Sequence, residues 1–497
     1  MIEAQQSYSI AVFPFLRSGE PIKLGDFEFR STSDLKGLTE EQATSVREVA
    51  AMLFLRDDLR IQSSLYAICP YIDMTYKPSD IPALSDAQAV VAYLYGTPGP
   101  VHDSQFQSSE YSAMVVFSHA DVPPSLVRPD RNVEPTQDRP ALSADGLKGV
   151  PGYSVLYNFR HLFWVAAGSQ IHSPIPGLSL NVDQDLHRDV ETGRLRHPER
   201  VVPVLRLLES PRTPTTARAL TAIRWFNNAN SEANSDDLSL VSLAIAFESL
   251  LGLPQTEKAD RLVDSISLLL GRVPRLDTWA HQFYEARSSI VHEGRSQRVE
   301  FVATDSIKKG EGPLYQPLLS YGLRIFRLCL STLLFGDRLA QDAGLEERFI
   351  TNQERFQKAC AVLNDSTVAA AERLGQLEPL VDAMERYMFV WEGSLKIESM
   401  LAAMRLAVQT LLENDVASRG TTLLLQSALA QLGETDVARQ LEAVDALHNG
   451  LPNTPVGCDE PSVGTVGKMA SVVSHYTFMY FFWLKRERAS ETAGDDV

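Results

Sequence analysis

The chain has 497 residues and a net charge of -17, from 46 Lys and Arg against 63 Asp and Glu. Because a single domain usually has ~100–200 residues, we expect two or three domains. The acidic total argues against broad, non-specific coating of nucleic acid, which works by neutralising phosphates with Lys and Arg. It leaves room for a local basic site.

The cysteines, histidines and apolar segments narrow the class of protein further. Four cysteines lie too far apart for a disulfide framework or a CxxC zinc knuckle, and the ten histidines show no HExxH or other metal-ligand spacing. We therefore expect no metal and no other cofactor. The amino terminus has no leader-like pattern, and no apolar run approaches the ~18 residues of a membrane span. We expect a cytoplasmic protein with no membrane association.

Short runs rich in β-branched and aromatic residues alternate with turn clusters up to about residue 200. They predict strands at 8–16, 27–32, 64–72, 89–96, 112–119 and 153–168. One early helix is expected after Thr39, which can cap it. The stretches 121–148 and 173–200 are predicted to be irregular. We predict a mixed, β-containing domain over 1–205, a candidate sensor to which the residues assign no chemistry.

From about Pro214 the apolar residues recur at the 3.6-residue period of helices. Predicted helices cover 216–230, 238–251, 258–270, 276–292 and 314–335, with a charged loop at 295–313. Gly271 and Gly294 stand where helices should stop. In the last helix we expect these residues to face inward: Leu318, Leu319, Ile325, Phe326 and Leu333. The last four helices can pack as a bundle, in a domain that we place at 214–338.

The remainder, 341–497, is also predicted to be helical, with helices at 345–363, 367–393, 396–414, 419–448 and 463–487. Gly433 lies inside the fourth of these and is a candidate break. The fold class predicted for the chain is therefore α+β. It consists of a β-containing amino-terminal domain, an all-α bundle and a helical carboxy-terminal region.

The sharpest local signal is the sequence EARSSIVHEG at 285–294, in which Arg287 precedes His292 by five positions near the end of a helix. An imidazole can move protons near pH 7, and a guanidinium can hold two phosphate oxygens in a bidentate fork. Together they suit cleavage of RNA without a metal. One group assists attack by the ribose 2′-hydroxyl or protonates the departing 5′-oxygen, while the other stabilises the charge that builds on phosphorus. The bare spacing is weak, because Arg275 and His281 also satisfy it.

Around this motif, residues 236–335 resemble the HEPN superfamily of ribonucleases, specifically the ApeA-like group of bacterial defence proteins. The family's mark is an Arg, four to six residues and then a His near the end of the third bundle helix. The resemblance aligns Arg287 and His292 with this mark, and it includes an apolar first helix that ends in Leu-Leu-Gly with Glu248 inside. Ser288 departs from the Asn or Asp that commonly follows the Arg, which puts the fine tuning of the site in doubt.

The resemblance implies an all-α HEPN four-helix bundle and a metal-independent endoribonuclease, with Arg287 and His292 as its catalytic residues. RNA, with tRNA as one candidate, is the implied substrate, and the products carry a 2′,3′-cyclic phosphate or 3′-phosphate and a 5′-hydroxyl. It also implies a homodimer with a composite active site and a role in antiviral, abortive-infection-like defence that a phage-derived trigger starts. The amino-terminal domain or the carboxy-terminal helices would sense the trigger or hold the nuclease inactive.

Further residues are candidates for supporting roles. Glu248 stands alone in an apolar helix and needs a partner if it is buried, and Arg287 is a candidate for that partner. Ser288 follows the motif Arg directly. A local basic loop could follow an RNA backbone despite the acidic total, and its residues are Arg295, Arg298, Lys308 and Lys309.

A non-catalytic interpretation of the same residues stays open. His292 can cap a helix C-terminus, where a cation is favoured, and Arg287 can form a structural ion pair with Glu248 or Glu285. The alternative function is an inactive dimerisation or RNA-binding scaffold. Geometry adds a condition, because five steps of ~100° place Arg287 and His292 about 140° apart around an ideal helix. Either the helix unwinds near Gly294 or a second copy of the chain completes the site.

Overall fold

The computed structural model describes residues 8–13, 16–52, 54–56, 59–60, 64–71, 82–95, 114–118, 153–155, 165–167, 170–172, 179–181, 185–196, 198–231, 235–296, 300–303, 314–335, 349–384, 397–415, 417–452 and 460–494. Within these residues the chain is mostly helical, with 15 helices and a small antiparallel sheet near the amino terminus. The α+β class is therefore confirmed. None of the described helices combines the length and the apolarity needed to cross a bilayer.

The amino-terminal strands are short. They are β1 (Tyr8–Phe13), β2 (Ile22–Leu24), β3 (Phe27–Ser31), β4 (Phe54–Arg56), β5 (Leu59–Arg60), β6 (Leu65–Pro70), β7 (Val115–Ser118), β8 (Tyr153–Val155), β9 (Val165–Ala167), β10 (Gln170–His172) and β11 (Ser179–Asn181). Six of them form the main sheet in the order β2-β3-β6-β1-β7-β8. Ile10 of β1 lies opposite Ile68 on one side and Phe117 on the other. Strand β1 is consequently buried along its whole length.

The helices of this region are α1 (Glu40–Met52), α2 (Pro82–Tyr95), α3 (Leu186–Arg196) and α4 (Pro198–Glu209). Thr39 caps α1 as predicted, since its Oγ1 accepts a hydrogen bond from the Gln42 N–H at 3.2 Å while Gln42 Oε1 accepts one from the Thr39 N–H at 3.1 Å. The sequence and the structure thus agree on how this helix starts.

Two predictions for the amino-terminal region are wrong. The strand predicted at 89–96 is helical up to Tyr95, because α2 is buried on nearly every side and its apolar run lacks the polar face that marks a helix. The segment predicted to be irregular at 173–200 contains α3 and the start of α4. The other five predicted strand segments contain strands. The loop predicted at 121–148 lies outside the described residues.

The middle of the chain contains α5 (Pro214–Ala229), α6 (Asp236–Leu251), α7 (Lys258–Leu270), α8 (Leu276–Glu293) and α9 (Leu318–Phe335). Glycines in the left-handed region follow three of these helices directly. They are Gly252 (φ 65°), Gly271 (φ 74°) and Gly294 (φ 81°). Gly271 and Gly294 are therefore the helix stops that the sequence predicts.

The predicted start of the closing helix is wrong, because 314–317 is a strand. Strand β12 (Glu300–Ala303), within the predicted loop, pairs with β13 (Leu314–Pro317) in an antiparallel hairpin. Leu318, Ile325 and Phe326 are buried as expected, Leu319 is half-buried, and Leu333 is 46% exposed. The inward orientation predicted for Leu333 is therefore wrong.

The chain divides into two compact units, of which the first comprises Met1–Ser265, Arg287–Ser296 and Gly322–Leu339. Its helical part has an aromatic core. The ring of Phe226 stacks on that of Phe326 with centroids 4.8 Å apart, and Phe247 meets Phe326 edge to face at 5.5 Å. These contacts join α5, α6 and α9. The three-domain division at 1–205, 214–338 and 341–497 stays a prediction.

The second unit comprises Ile266–Ala286, Gln297–Tyr321 and Ala340–Val497. Trp279 anchors the first of these segments: it is fully buried, and its Nε1 donates a hydrogen bond to the Leu318 carbonyl at 2.9 Å. The β12-β13 hairpin docks beside it through Gln282. The Gln282 side-chain amide donates to the Val302 carbonyl at 3.1 Å, and its oxygen accepts from the Val302 N–H at 3.0 Å.

The carboxy-terminal helices are α10 (Asn352–Asn364), α11 (Ala370–Ala383), α12 (Ile397–Glu413), α13 (Arg419–Leu432), α14 (Val437–Gly450) and α15 (Pro461–Gly494). All six contribute to one core of buried aliphatic, methionine and aromatic side chains. The predicted break at Gly433 is confirmed, since it is the C-cap residue of α13. The predicted helical residues 345–348 and 385–393 lie outside the described residues.

Candidate functional site

Helix α8 carries both motif residues, and its sequence accounts for its position. Trp279, Ala280, Phe283 and Ala286 recur at helical spacing and are all buried. The helix is continuous from Leu276 to Glu293, and the Gly294 N–H closes the last turn on the Ile290 carbonyl at 3.0 Å. The helix therefore does not unwind before Gly294, and the first way of bringing the motif residues together is excluded.

Arg287 is half-buried on this helix. Its Nε atom is enclosed, and no side-chain hydrogen bond or ion pair joins Arg287 to another described residue. The structural ion pair with Glu248 or Glu285 is consequently not present among the described residues.

His292 lies in the last turn of α8 and is exposed. Its side chain makes no hydrogen bond or ion pair within the described part of the chain. Five residues of an unbroken helix advance about 7.5 Å along the axis and turn about 500°, which leaves the two side chains about 140° apart. A single copy of α8 therefore presents Arg287 and His292 on different sides of the helix.

The two candidate supporting residues, Glu248 and Ser288, lie on α6 and α8. Glu248 pairs with Lys258, whose Nζ lies 2.7 Å from Glu248 Oε1, and both side chains are about one-fifth exposed (22% and 19%). Arg287, the candidate partner of Glu248, does not pair with it among the described residues. Lys258 is reached because Gly252 turns the chain between α6 and α7. Ser288 is exposed.

Only part of the predicted basic loop is described. Arg295 is exposed, and the next residue, Ser296, donates its N–H to Asp237 Oδ1 at 3.2 Å. This bond ties the chain after α8 to the first turn of α6. Arg298, Lys308 and Lys309 lie outside the described residues.

In the second Arg and His pair, Arg275 forms a buried structural ion pair. The Arg275 guanidinium binds both carboxylate oxygens of Glu354, with Nη2 at 2.7 Å from Oε1 and Nη1 at 3.0 Å from Oε2. Burial alone would raise the pKa of Glu354. The hydrogen bonds and charge of Arg275, together with two hydrogen bonds from Thr351, outweigh it and hold this pKa below its ordinary value. His281 is exposed, with Nε2 at 3.5 Å from Asp277 Oδ1.

Glu300 is a half-buried titratable group that the sequence does not predict. Glu300 opens β12, and burial raises the pKa of its carboxyl to about 7. Its Oε1 atom is enclosed and accepts no hydrogen bond within the described residues. No local pattern marks it, since the burial comes from tertiary packing and not from neighbours in the sequence.

The described residues contain no group of three or more His, Cys, Asp or Glu side chains that could hold a metal ion. No protein-family model matches the chain, and comparisons with curated proteins and with solved structures give no match either.

Proposed function

We propose that this chain is a metal-independent endoribonuclease of the HEPN type. Its bundle would consist of α6, α7, α8 and α9, and its active site would combine Arg287 and His292 from two copies of the chain. The observation that carries the proposal is the state of these two side chains. Arg287 holds an enclosed guanidinium nitrogen without a described partner, and His292 is exposed and unpaired within the described residues. Neither is committed to a structural ion pair.

The chemistry follows from what the two groups can do. A neutral imidazole can take the proton of the ribose 2′-hydroxyl as that oxygen attacks phosphorus, or an imidazolium can protonate the 5′-oxygen as its bond to phosphorus breaks. A guanidinium can bind the non-bridging phosphate oxygens while negative charge builds on them. The reaction yields a 2′,3′-cyclic phosphate and a 5′-hydroxyl, and it uses no oxidant or metal.

A pair of chains meets the geometric condition. Because Arg287 and His292 point about 140° apart on one helix, the Arg of one copy can face the His of the other only if two α8 helices meet at these residues. The partners proposed are therefore RNA, with tRNA as one candidate, and a second copy of the chain. By analogy with the resembled family, the activity would serve antiviral defence in the cytoplasm after a phage-derived trigger.

The second candidate is an inactive scaffold for dimerisation or RNA binding. The exposure of His292 in the last turn of α8 favours it, because a cation at a helix C-terminus is stabilised without any catalytic role. The two candidates differ in whether loss of His292 removes a chemical step.

The deciding experiment incubates the purified full-length chain with total RNA and tRNA in EDTA and maps the new ends. We expect 2′,3′-cyclic phosphate or 3′-phosphate and 5′-hydroxyl ends from the wild type, and loss of cleavage in His292→Ala and in Arg287→Ala. The matched control is His281→Ala, since His281 is an exposed histidine on the same helix. Cleavage that needs a divalent metal, or that survives in His292→Ala, would contradict the mechanism. RNA binding without cleavage would support the scaffold.

A further inference from the structure

The residue directly before α8 has a strained backbone. Arg275 directly precedes α8 and has a φ of 65°, in the left-handed region that side-chain-bearing residues rarely adopt. Its carbonyl accepts the first hydrogen bond of the helix, from the Trp279 N–H at 2.9 Å. Such a conformation persists only where the surroundings hold it.

A buried ion pair holds Arg275 in this conformation. The Arg275 side chain is 6% exposed, and its two-point contact with Glu354 is joined by a third hydrogen bond, from Nη1 to Gln316 Oε1 at 3.1 Å. Planar, bidentate contacts of this kind fix orientation as well as distance. The guanidinium is therefore held in one geometry.

The other half of the ion pair is equally fixed. Glu354 lies in the first turn of α10 and closes a capping box, in which Oε2 accepts from the Thr351 N–H at 2.8 Å and from Thr351 Oγ1 at 2.9 Å. Gln316 in turn donates to the Phe349 carbonyl at 3.1 Å. The start of α8 is thus bonded to the start of a carboxy-terminal helix through a connected set of side-chain hydrogen bonds.

The residue before Arg275 is compatible with an earlier start of the helix. This residue is Pro274, and proline is favoured at the first position of a helix. When Glu354 is lost, we expect Arg275 to relax to the right-handed region. Helix α8 would then begin at Pro274, with its first turn rearranged. That change would break the hydrogen bond that the Tyr321 hydroxyl donates to the Pro274 carbonyl.

We infer that Arg275 and Glu354 form a latch by which the carboxy-terminal helices fix the start of α8 and so position Arg287 and His292, which the same unbroken helix carries. Arg275 and Glu354 are positioning residues in this account. Its last step, the effect on cleavage, rests on the proposed function, whereas the latch itself does not.

The test uses the full-length chain and two glutamine substitutions. Glu354→Gln keeps the capping box, which glutamine also forms, but removes the charge that holds Arg275. Glu413→Gln is the control, because Glu413 forms a comparable ion pair with Arg373 at 2.6 Å within the carboxy-terminal helices. We expect amide hydrogen exchange along 276–293 to be about tenfold faster in Glu354→Gln and unchanged in Glu413→Gln. Unchanged exchange in Glu354→Gln, or equal acceleration in both variants, overturns the latch.

Cleavage kinetics test the positioning step. In Glu354→Gln we expect kcat to fall about tenfold with little change in KM, since a displaced catalytic group affects the chemical step more than substrate binding. Arg275→Gly is the second variant: it keeps the left-handed backbone accessible but removes the ion pair, and we expect the same fall. An unchanged kcat in both variants overturns the positioning role. If the wild type cleaves no RNA, the proposed function fails, and the exchange data alone support or overturn the latch.

Discussion

Arg287 and His292 lie on one unbroken helix, with side chains about 140° apart around its axis and neither paired with another described residue. This relationship limits what a single chain can do. A phosphate held by the guanidinium of one copy would be out of line with the imidazole of the same copy. If the residues act together, they act across two copies.

Mixing two inactive variants tests this directly. Arg287→Ala keeps His292, and His292→Ala keeps Arg287, so a mixed dimer has one intact composite pair. With half of the dimers mixed and one of two pairs intact in each, we expect about a quarter of the wild-type rate to return. The measurement is the cleavage rate of each variant alone and of an equimolar mixture after subunit exchange. A mixture no faster than its components would mean that the pair acts within one chain or that the site is not composite.

The Glu248–Lys258 pair should matter for stability. Lys258→Ala leaves a carboxylate with an enclosed oxygen and no partner, and we expect a loss of about 1–2 kcal/mol in the free energy of unfolding. Adding Glu248→Gln should recover part of that loss. The matched control is Lys468→Ala, which breaks an ion pair of the same 2.7 Å length whose Asp382 is 47% exposed. Urea denaturation that finds equal losses for the two lysines would contradict the account.

Gly294 should resist substitution for a backbone reason alone. Its φ is 81°, and a methyl group at this position would meet no atom within 4 Å, so the cost of Gly294→Ala is conformational. We expect a loss of about 1 kcal/mol. Gly375→Ala is a control with the opposite sign, because Gly375 lies inside α11 with the same open surroundings and alanine favours a helix. The free energies of unfolding of both variants measure these effects. A loss of stability in Gly375→Ala with none in Gly294→Ala would contradict the prediction.

Glu300 predicts a pH dependence. Its pKa is about 7 in the folded chain against an ordinary 4.5, so between these values the folded protein keeps a proton that the unfolded chain has released. Stability therefore falls as the pH rises through this window. The Glu300→Gln side chain cannot ionise. At pH 8 we expect this variant to be more stable than wild type by about 1 kcal/mol, a figure reduced because Glu300 is partly exposed to solvent. At pH 4 we expect the two proteins to be equally stable. Thermal unfolding at both pH values measures this, and a stabilisation independent of pH would point to another cause.

The sequence predicted helices correctly where it contains both an apolar stripe at helical spacing and a glycine at the end of the helix. Helix α7 has buried Leu262 and Ile266 on one face and ends at a left-handed Gly271. Gly433 split a long helical stretch as expected. In each case the deciding information lies within one or two turns of sequence.

The failures arise where tertiary packing replaces the local pattern. Helix α2 is enclosed on nearly all sides, so its run of Ala, Val, Leu and Tyr carries no polar face. Residues 314–317 extend an apolar helix in sequence, but they pair with β12, a partner some ten residues away. No local pattern reports such a pairing.

In the candidate site, too, local sequence predicts some features and tertiary packing sets the others. The positions of Arg287 and His292 near the end of a helix follow from the apolar period and Gly294. The partner of Glu248 does not, because Lys258 is reached only through the turn at Gly252. The role of Arg275 was also hidden, since Glu354 lies 79 residues further along the chain. Ion pairs between distant segments depend on the completed fold.

The Gln282 amide has a consequence for how this molecule meets others. A two-stranded hairpin leaves edge strands whose free N–H and C=O groups can template a strand from another molecule. At Val302 both groups are already bonded to one side chain, which occupies the place that an incoming strand would take. The hairpin is thereby protected at this point against intermolecular strand addition and the fibrillar aggregation that follows from it.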